Sequence, residues 1–286
     1  MSHHIGTFIV QKRRELGLTQ QNLADNLGVS FQAVSKWETG AASPDISLLP
    51  GIARVLQTSV DALLGYASAA PGSYDQRYAD RGFYWGLKPN DLCYALMKLR
   101  PPTEPLRVLD IGCGEGKDAV FLARNGYLVS AFDIAESGLA KGRELAAHCG
   151  VDVDFFRADI QVFLPVQAFD IIFSSGVLHY LMPERRGRFF ERLKACTSPG
   201  GIHVLNVFVA KSFLPTAPDY DDFERQVPPW HSGELAGYYQ DWYFHKCDEV
   251  IFDCESGGIP HRHCMDILIA EKPDENGYAG PLAGRK

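Results

Sequence analysis

Val108-Leu109-Asp110-Ile111-Gly112-Cys113-Gly114-Glu115-Gly116 decides the fold. An apolar run ends in an acid and passes at once into three glycines at alternate positions. That pattern predicts a buried strand running into a turn tight enough for the main chain itself to face a ligand. Glycine has no Cβ and tolerates φ > 0, so a bound molecule can approach the backbone closely. Lys117 to Arg124 carries apolar residues at helical spacing, and Asn125-Gly126 is a helix stop. The next strand, 127–132, leads into Asp133. Strand, glycine turn, helix, strand and acid form a half-unit that binds adenosine-containing cofactors at the carboxyl ends of parallel strands.

Nicotinamide sites use G-x-G-x-x-G with the pyrophosphate on the helix N-terminus. Here the spacing is G-x-G-x-G, and Asp110 stands two residues before the first glycine. A carboxylate there suits a ligand with an ammonium group. With these residues the chain resembles the class I S-adenosylmethionine-dependent methyltransferases over about residues 76–272. The resemblance assigns Asp110, Gly112, Cys113, Gly114 and Gly116 to the cofactor loop, Cys113 through its backbone. It places Asp133 on the ribose, with Ile134 beside it. Phe156-Arg157-Ala158-Asp159-Ile160 looks like the adenine-side segment, Asp159 accepting from the exocyclic amine. Phe169 to Tyr180 looks like the fourth strand and the loop flooring the methionine end, with Ser175 and Gly176 at the cofactor. Ser198-Pro199-Gly200-Gly201 looks like the turn before the fifth strand. Tyr84 and Trp85 are expected to shape the cofactor pocket.

The chain has 286 residues, 46% of them hydrophobic and 22% charged, which suits two globular domains with proper cores. No apolar stretch approaches a membrane span. Met1-Ser2-His3-His4-Ile5 lacks a signal peptide's basic start and apolar centre. Seven scattered cysteines without C-x-x-C fit reduced thiols, so a cytoplasmic location is expected. Small residues with Pro and Gly mark a linker at 67–75. It separates a domain at 1–66 from one at 76–272, with a tail at 273–286. Residues 1–66 balance five basic against five acidic side chains, so the whole net charge of −7 belongs to the remainder.

Residues 5–64 read as five short helices, 5–16, 20–26, 31–38, 44–56 and 60–64, with caps at Thr19, Ser30 and Ser59. The core is expected at Ile9, Leu16, Leu18, Leu23, Ala24, Leu27, Val29, Val34, Trp37, Leu48, Ile52, Ala53, Leu56 and Leu63. Leu27-Gly28-Val29-Ser30 is a short glycine-containing joint of helix-turn-helix type. From Arg14 to Gly40 the chain resembles the Cro/phage-repressor (XRE) family. The resemblance implies operator DNA as a partner, the third helix in the major groove, and a homodimer on a pseudo-palindrome. Gln32 would read an adenine edge, Lys36 a guanine or phosphate, and Phe31 a thymine methyl, with Ser35 on the same face. Gln20 would meet a phosphate through its backbone N–H. Lys12, Arg13, Arg14 and Lys36 supply the local positive charge. A five-helix bundle used for protein contacts is the alternative.

The second domain is expected to be α/β and Rossmann-like. Its seven strands fall at 106–110, 127–132, 153–156, 169–174, 202–209, 243–253 and 262–270, the last two forming an antiparallel hairpin, and a helix spans 183–196. Gly233-Glu234-Leu235-x-x-Tyr238-Tyr239-x-x-Trp242, followed by a His-x-His strand, resembles the tellurite-resistance methyltransferase family. That resemblance implies a small soft acceptor such as tellurite or selenite, held by His261, Arg262, His263 and His179. Alternation along the last strand sends His261 and His263 one way and Arg262 the other, so all three meet one anion only across a bulge. The segments expected to cover the site are Tyr84-Trp85, His179-Tyr180, 211–241 and 261–263. His245, Cys247, Cys254 and Cys264 add soft donors near the same hairpin, but no standard zinc spacing occurs and no metal is expected. A second reading is a transcription factor for which S-adenosylmethionine is a sensed ligand without turnover.

Overall fold

Thr19 and Ser30 set the geometry of the N-terminal unit. The computed structural model describes residues 2–56, 60–64, 73–215, 226–255, 259–274 and 277, so Ser59 and most of the expected linker and tail lie outside it. The chain divides into two compact units, Met1–Ala70 and Pro71–Lys286. The first holds α1 (Ser2–Glu15), α2 (Gln20–Leu27), α3 (Phe31–Glu38), α4 (Leu49–Val55) and α5 (Val60–Leu63). Thr19 and Asn22 cap α2 reciprocally, each side chain accepting from the other's backbone N–H at 3.0 Å. Gly28 then ends α2 in the left-handed conformation, and Ser30 accepts from the Ala33 N–H to start α3. The expected core residues are all buried or packed against the buried set. The helix expected from Pro44 begins later: Asp45 caps a 3-10 turn over Ile46–Leu48 before α4 starts.

Arg13 was expected to lend positive charge to the surface, but it is committed elsewhere. Its guanidinium grips Glu38 twice, at 2.6 and 2.9 Å, and the Leu18 carbonyl at 2.7 Å. Gln20 Nε2 donates to the same carboxylate at 2.7 Å. Burial pushes the Glu38 pKa up, but the hydrogen bonds from Arg13 and Gln20 outweigh it and hold the carboxyl below its ordinary value. The pair therefore stabilises fully above the unfolded-chain value of about 4.3. Its contribution is lost as pH falls through the depressed folded value. Glu38→Gln is expected to destabilise this unit by about 2 kcal/mol at neutral pH. The gap between variant and wild-type melts should close on acidification. An unchanged gap in acid would show that the charge is not the stabilising element.

The second unit is a doubly wound sheet, consistent with the fold expected. It comprises α6 (Ser73–Ala79), α7 (Asp91–Leu99), β1 (Arg107–Ile111), α8 (Lys117–Arg124), β2 (Leu128–Asp133), α9 (Glu136–Cys149) and β3 (Val153–Arg157). β4 (Phe169–Ser174), α10 (Pro183–Ala195), β5 (Thr197–Phe208), α11 (Glu234–Gly237), β6 (Tyr243–Cys254) and β7 (His261–Glu271) follow. The strand order is β3-β2-β1-β4-β5-β7-β6, with β7 antiparallel to both neighbours. Successive residues face opposite sides, as the pleat demands. Val108, Ile171 and Val204 pack with α7, α8 and α9. Leu109, Ile172 and Leu205 pack with α10 and α11. The order reverses between β1 and β4, and ligands of such sheets bind at that switch point.

Two local expectations change. The 198–201 segment does not precede β5 as a separate turn. The register jumps from Phe169↔Thr197 to Ile171↔Ile202, so these residues bulge within the strand. α6 begins at Ser73, inside the segment expected as linker. It is fastened to α9 where Asp75 accepts from the Ser137 N–H at 3.1 Å and hydroxyl at 2.9 Å. Among the described residues no helix is long and apolar enough to cross a membrane.

Candidate active site and helix-turn-helix surface

The loop after β1 is built for close approach. Gly112, Gly114 and Gly116 have φ of +70°, +54° and +78°, a region that side chains disfavour. Space forbids a Cβ as well. At Gly112 it would stand 2.5 Å from Val177, and at Gly116 2.8 Å from the Phe155 ring. The loop is held from below by Asp133, which accepts from the Gly114 N–H at 2.8 Å and the Ala135 N–H at 2.9 Å. Burial raises the Asp133 pKa, and these backbone donors oppose that.

Asp110 is the anomaly. Its side chain is buried, and Oδ2 has no hydrogen-bond partner among the described residues. Burial pushes its pKa well up, and the nearby Asp118 and Asp133 charges add to the rise. Asp118 itself is compensated, by Lys117 at 2.9 Å and by the Asn90 N–H at 2.7 Å. A buried carboxylate oxygen without a donor is costly unless a ligand supplies one. An ammonium group does so, and the glycine loop leaves backbone for the rest of an adenosine-type ligand. The residues present thus fit S-adenosylmethionine. Burial also pushes the Cys113 thiol up, which suits a residue contributing backbone only.

The loop after β4 is clamped from two sides. Ser175 Oγ accepts from Asn90 Nδ2 at 2.9 Å and Asn206 Nδ2 at 3.0 Å. Asn206 Oδ1 accepts from the Gly176 N–H at 2.7 Å. In the segment after β3, Asp159 accepts from the Gln161 N–H at 2.8 Å, and Ile160 is buried in the core. Gln161 Nε2 donates to the Tyr180 carbonyl, tying this segment to the loop after β4. Ile134 is half-buried, and its carbonyl accepts from Arg157.

An aromatic layer covers this end of the sheet. Tyr78 reaches Gly114, where an added Cβ would meet its hydroxyl at 3.0 Å. Trp85 Nε1 donates to that hydroxyl at 3.1 Å, and Tyr84 packs edge-on against Trp85. Tyr74 meets Tyr180 edge-on at 6.2 Å. Arg77 lies over the rings of Tyr74 and Tyr84, at 4.7 and 5.8 Å. The buried Glu115 pairs with the half-buried Lys141 at 2.8 Å, and Lys141 also holds the Gly82 carbonyl. Sequence reasoning missed Tyr74, Arg77 and Tyr78. Their i, i+3, i+4 spacing on one helix face was the available signal.

The four residues expected to hold an oxyanion are not brought together. His179 is half-buried after β4, its ring 4.3 Å from Tyr180 and 4.8 Å from Phe208. Phe208 also stacks against His263 at 4.6 Å. His261 joins His263, with their Nε2 atoms 2.8 Å apart. Arg262 is exposed on the opposite side of β7, because no bulge interrupts the alternation there. The 233–242 signature is built largely into the core. Leu235, Tyr239 and Trp242 are core residues, and Tyr239 hydrogen-bonds the buried His203 at 2.7 Å. Of the insertion 211–241, residues 216–225 lie outside the described set.

In the N-terminal unit, α3 exposes Phe31, Gln32 and Lys36, with Ser35 half-buried. Gln20 opens α2, and its side chain is held by Glu38.

Two family models match the chain: a helix-turn-helix over residues 9–63 and a methyltransferase domain over residues 108–201. Among curated relatives, Hemagglutinin 1 of Eikenella corrodens is 27% identical over 175 residues, 59% of this chain and 55% of that protein. The "Probable S-adenosyl-L-methionine-dependent methyltransferase TehB" of Haemophilus influenzae is 30% identical over 148 residues, 51% of this chain and 49% of that protein. The chain thus spans about half the length of these curated relatives. The Burkholderia thailandensis 1,6-didemethyltoxoflavin-N1-methyltransferase structure, with 1,6-didemethyltoxoflavin and S-adenosylhomocysteine bound, superposes with a TM-score of 0.56. It is 21% identical and covers 74% of this chain and 90% of that one, a likeness of fold. Residues 9–63 are therefore a helix-turn-helix domain, and the sheet unit carries a methyltransferase domain of the S-adenosylmethionine-dependent class.

Proposed function

We propose that the chain transfers a methyl group from S-adenosylmethionine to a small soft acceptor, of which a tellurite- or selenite-like oxyanion is the leading candidate, while its N-terminal unit binds operator DNA. The observation that carries this reading is the buried Oδ2 of Asp110, without a hydrogen-bond partner among the described residues, beside three left-handed glycines at the switch point. The bound cofactor supplies an electrophilic sulfonium methyl. Asp110 holds its ammonium group, Asp133 with Ile134 its ribose, and Asp159 with Ile160 its adenine. Ser175 and Gly176 floor the methionine end. Gly112, Cys113, Gly114 and Gly116 offer backbone, and Tyr84 shapes the aromatic cover.

Methyl transfer is an in-line displacement. An anionic chalcogen needs no general base, but it needs positive charge and exclusion of water. Arg77 over the Tyr74 ring and His179 beside Tyr180 support this reading as the groups that supply that charge. His261 and His263 stand one aromatic ring further out, and Arg262 faces away. The sequence resemblance of residues 233–242 to the tellurite-resistance methyltransferases supports the soft acceptor. Purified protein with labelled S-adenosylmethionine and tellurite or selenite should give methylated product, and Gly114→Arg should give none. Turnover of neither oxyanion would overturn the acceptor assignment.

For DNA, the exposed face of α3 supports recognition by Phe31, Gln32, Ser35 and Lys36, with a phosphate at the start of α2 near Gln20. Against a site selected from random DNA, Gln32→Ala should lose about 1–3 kcal/mol on that site alone. Lys36→Ala should weaken all sequences alike and reduce the salt slope by about 1. One module covers a half-site, so a homodimer is proposed. A strict monomer in gel filtration, with and without the selected DNA, would contradict it.

A further inference from the structure

Three soft donors converge at the far end of the β6–β7 hairpin. Cys254 ends β6, His261 opens β7, and the antiparallel register pairs them directly. His263, two residues on, points to the same face. One donor atom from each lies within 4.8 Å of the other two. Cys247 and Cys264 are not part of the cluster.

The histidines are also oriented for ligation. His261 Nδ1 stands 2.7 Å from the Ile259 carbonyl oxygen. A carbonyl only accepts, so Nδ1 carries the proton and Nε2 presents its lone pair. A ligating histidine with its far nitrogen tethered to a carbonyl has this same arrangement. With both rings neutral, His263 donates its Nε2 proton to His261 Nε2 across their 2.8 Å contact. The inner wall is apolar: the His263 ring is buried, stacked on Phe208 at 4.6 Å and near Phe252 at 5.7 Å. Four-coordinate zinc sets two imidazole nitrogens about 3.3 Å apart and a thiolate sulfur about 3.5 Å from each. The two rings need to part by only about half an ångström to accept it.

We propose that Cys254, His261 and His263 bind a thiophilic d10 cation, with zinc as its representative. On binding, one S–metal bond forms as the Cys254 thiol proton leaves to solvent. Each imidazole lends an Nε2 lone pair, His263 after moving its proton to Nδ1. Three protein ligands leave the fourth position of the tetrahedron for water or a soft anion. The pattern escapes zinc-motif searches because strand pairing, not sequence spacing, brings the ligands together. Its residues are distinct from the glycine loop, and His263 and His179 each touch the Phe208 ring, at 4.6 and 4.8 Å.

Cobalt(II) titration of the full chain tests the site, because a bound thiolate gives a sulfur-to-cobalt charge-transfer absorption that histidine alone cannot. One equivalent should produce that band with tetrahedral visible bands, and one equivalent of zinc should bleach both. Cys254→Ser should lose the charge-transfer band with an unchanged circular-dichroism spectrum. His263→Gln should weaken binding at least about tenfold. Cys247→Ser, which removes an exposed thiol outside the cluster, should leave the signal intact. The amino-terminal histidines can bind cobalt but cannot supply the sulfur band. No charge-transfer band in the wild type, or a band that survives Cys254→Ser, would overturn the proposal.

Discussion

Asp110→Asn is expected to weaken S-adenosylmethionine binding by roughly 10- to 150-fold while leaving the ligand-free fold intact. The range corresponds to about 1.5–3 kcal/mol, the contribution of a hydrogen bond to a charged group. Asn keeps the shape and mimics the protonated acid, so the fold loses little. The pH dependence has an unusual sign. Burial and the neighbouring Asp118 and Asp133 raise the Asp110 pKa in the ligand-free protein. A raised acid makes the folded state bind more protons than the unfolded one. Its contribution is therefore most favourable at low pH and declines as pH climbs from about 4 toward the raised folded value. A ligand ammonium favours the carboxylate and reverses that preference. Below the raised value, cofactor binding should release a proton and tighten with rising pH. Calorimetry in buffers of different ionisation enthalpy measures that release, and Asp110→Asn should abolish it. A variant that binds within about twofold of the wild type would remove Asp110 from the cofactor site.

Features read from contiguous residues emerge in the structure with small shifts. α3 runs from Phe31 to Glu38 as expected, because Ser30 caps it and its buried residues recur at helical spacing. The left-handed glycines follow β1 because a strand that turns this sharply tolerates no Cβ. Contacts between distant segments were not legible. Arg13 and Glu38 are 25 residues apart, and only the folding of α1 against α3 makes them a pair. α6 was hidden because its first turn borders a stretch of Ala, Pro, Gly and Ser that reads as linker. The cysteine–histidine cluster depends on which residue of β6 faces which of β7, a register no local pattern states. The 233–242 signature resembles a family with a given substrate class, while Tyr239 and Trp242 within it pack in the core against His203. Strand alternation, by contrast, did separate Arg262 from the two histidines.

Arg186→Met is expected to destabilise the sheet unit by about 3–5 kcal/mol, lowering its melting temperature by roughly 6–20 °C. Arg186 is buried near the start of α10 and serves four groups at once. Nε donates to the Leu181 carbonyl at 3.0 Å, and the two terminal nitrogens reach Glu234 and the Pro228 carbonyl at 2.7 Å each. Its guanidinium also lies 4.1 Å from the centre of the Trp230 ring. Methionine keeps much of the apolar stem but strands two carbonyls and a partly buried carboxylate, so packing is preserved and polar satisfaction is lost. Arg186→Lys retains the charge without the planar fork and should recover only part of the loss. Glu234→Gln in the Arg186→Met background should relieve the unpaired carboxylate and restore stability in part, a coupling that a double-mutant cycle measures. The same contacts anchor Leu181, next to Tyr180 and His179 in the loop after β4. Acceptor KM should therefore rise in Arg186→Met at temperatures where the fold is still intact. Additive losses in the double mutant would mean that Arg186 acts through its carbonyl contacts and the ring of Trp230, not through Glu234.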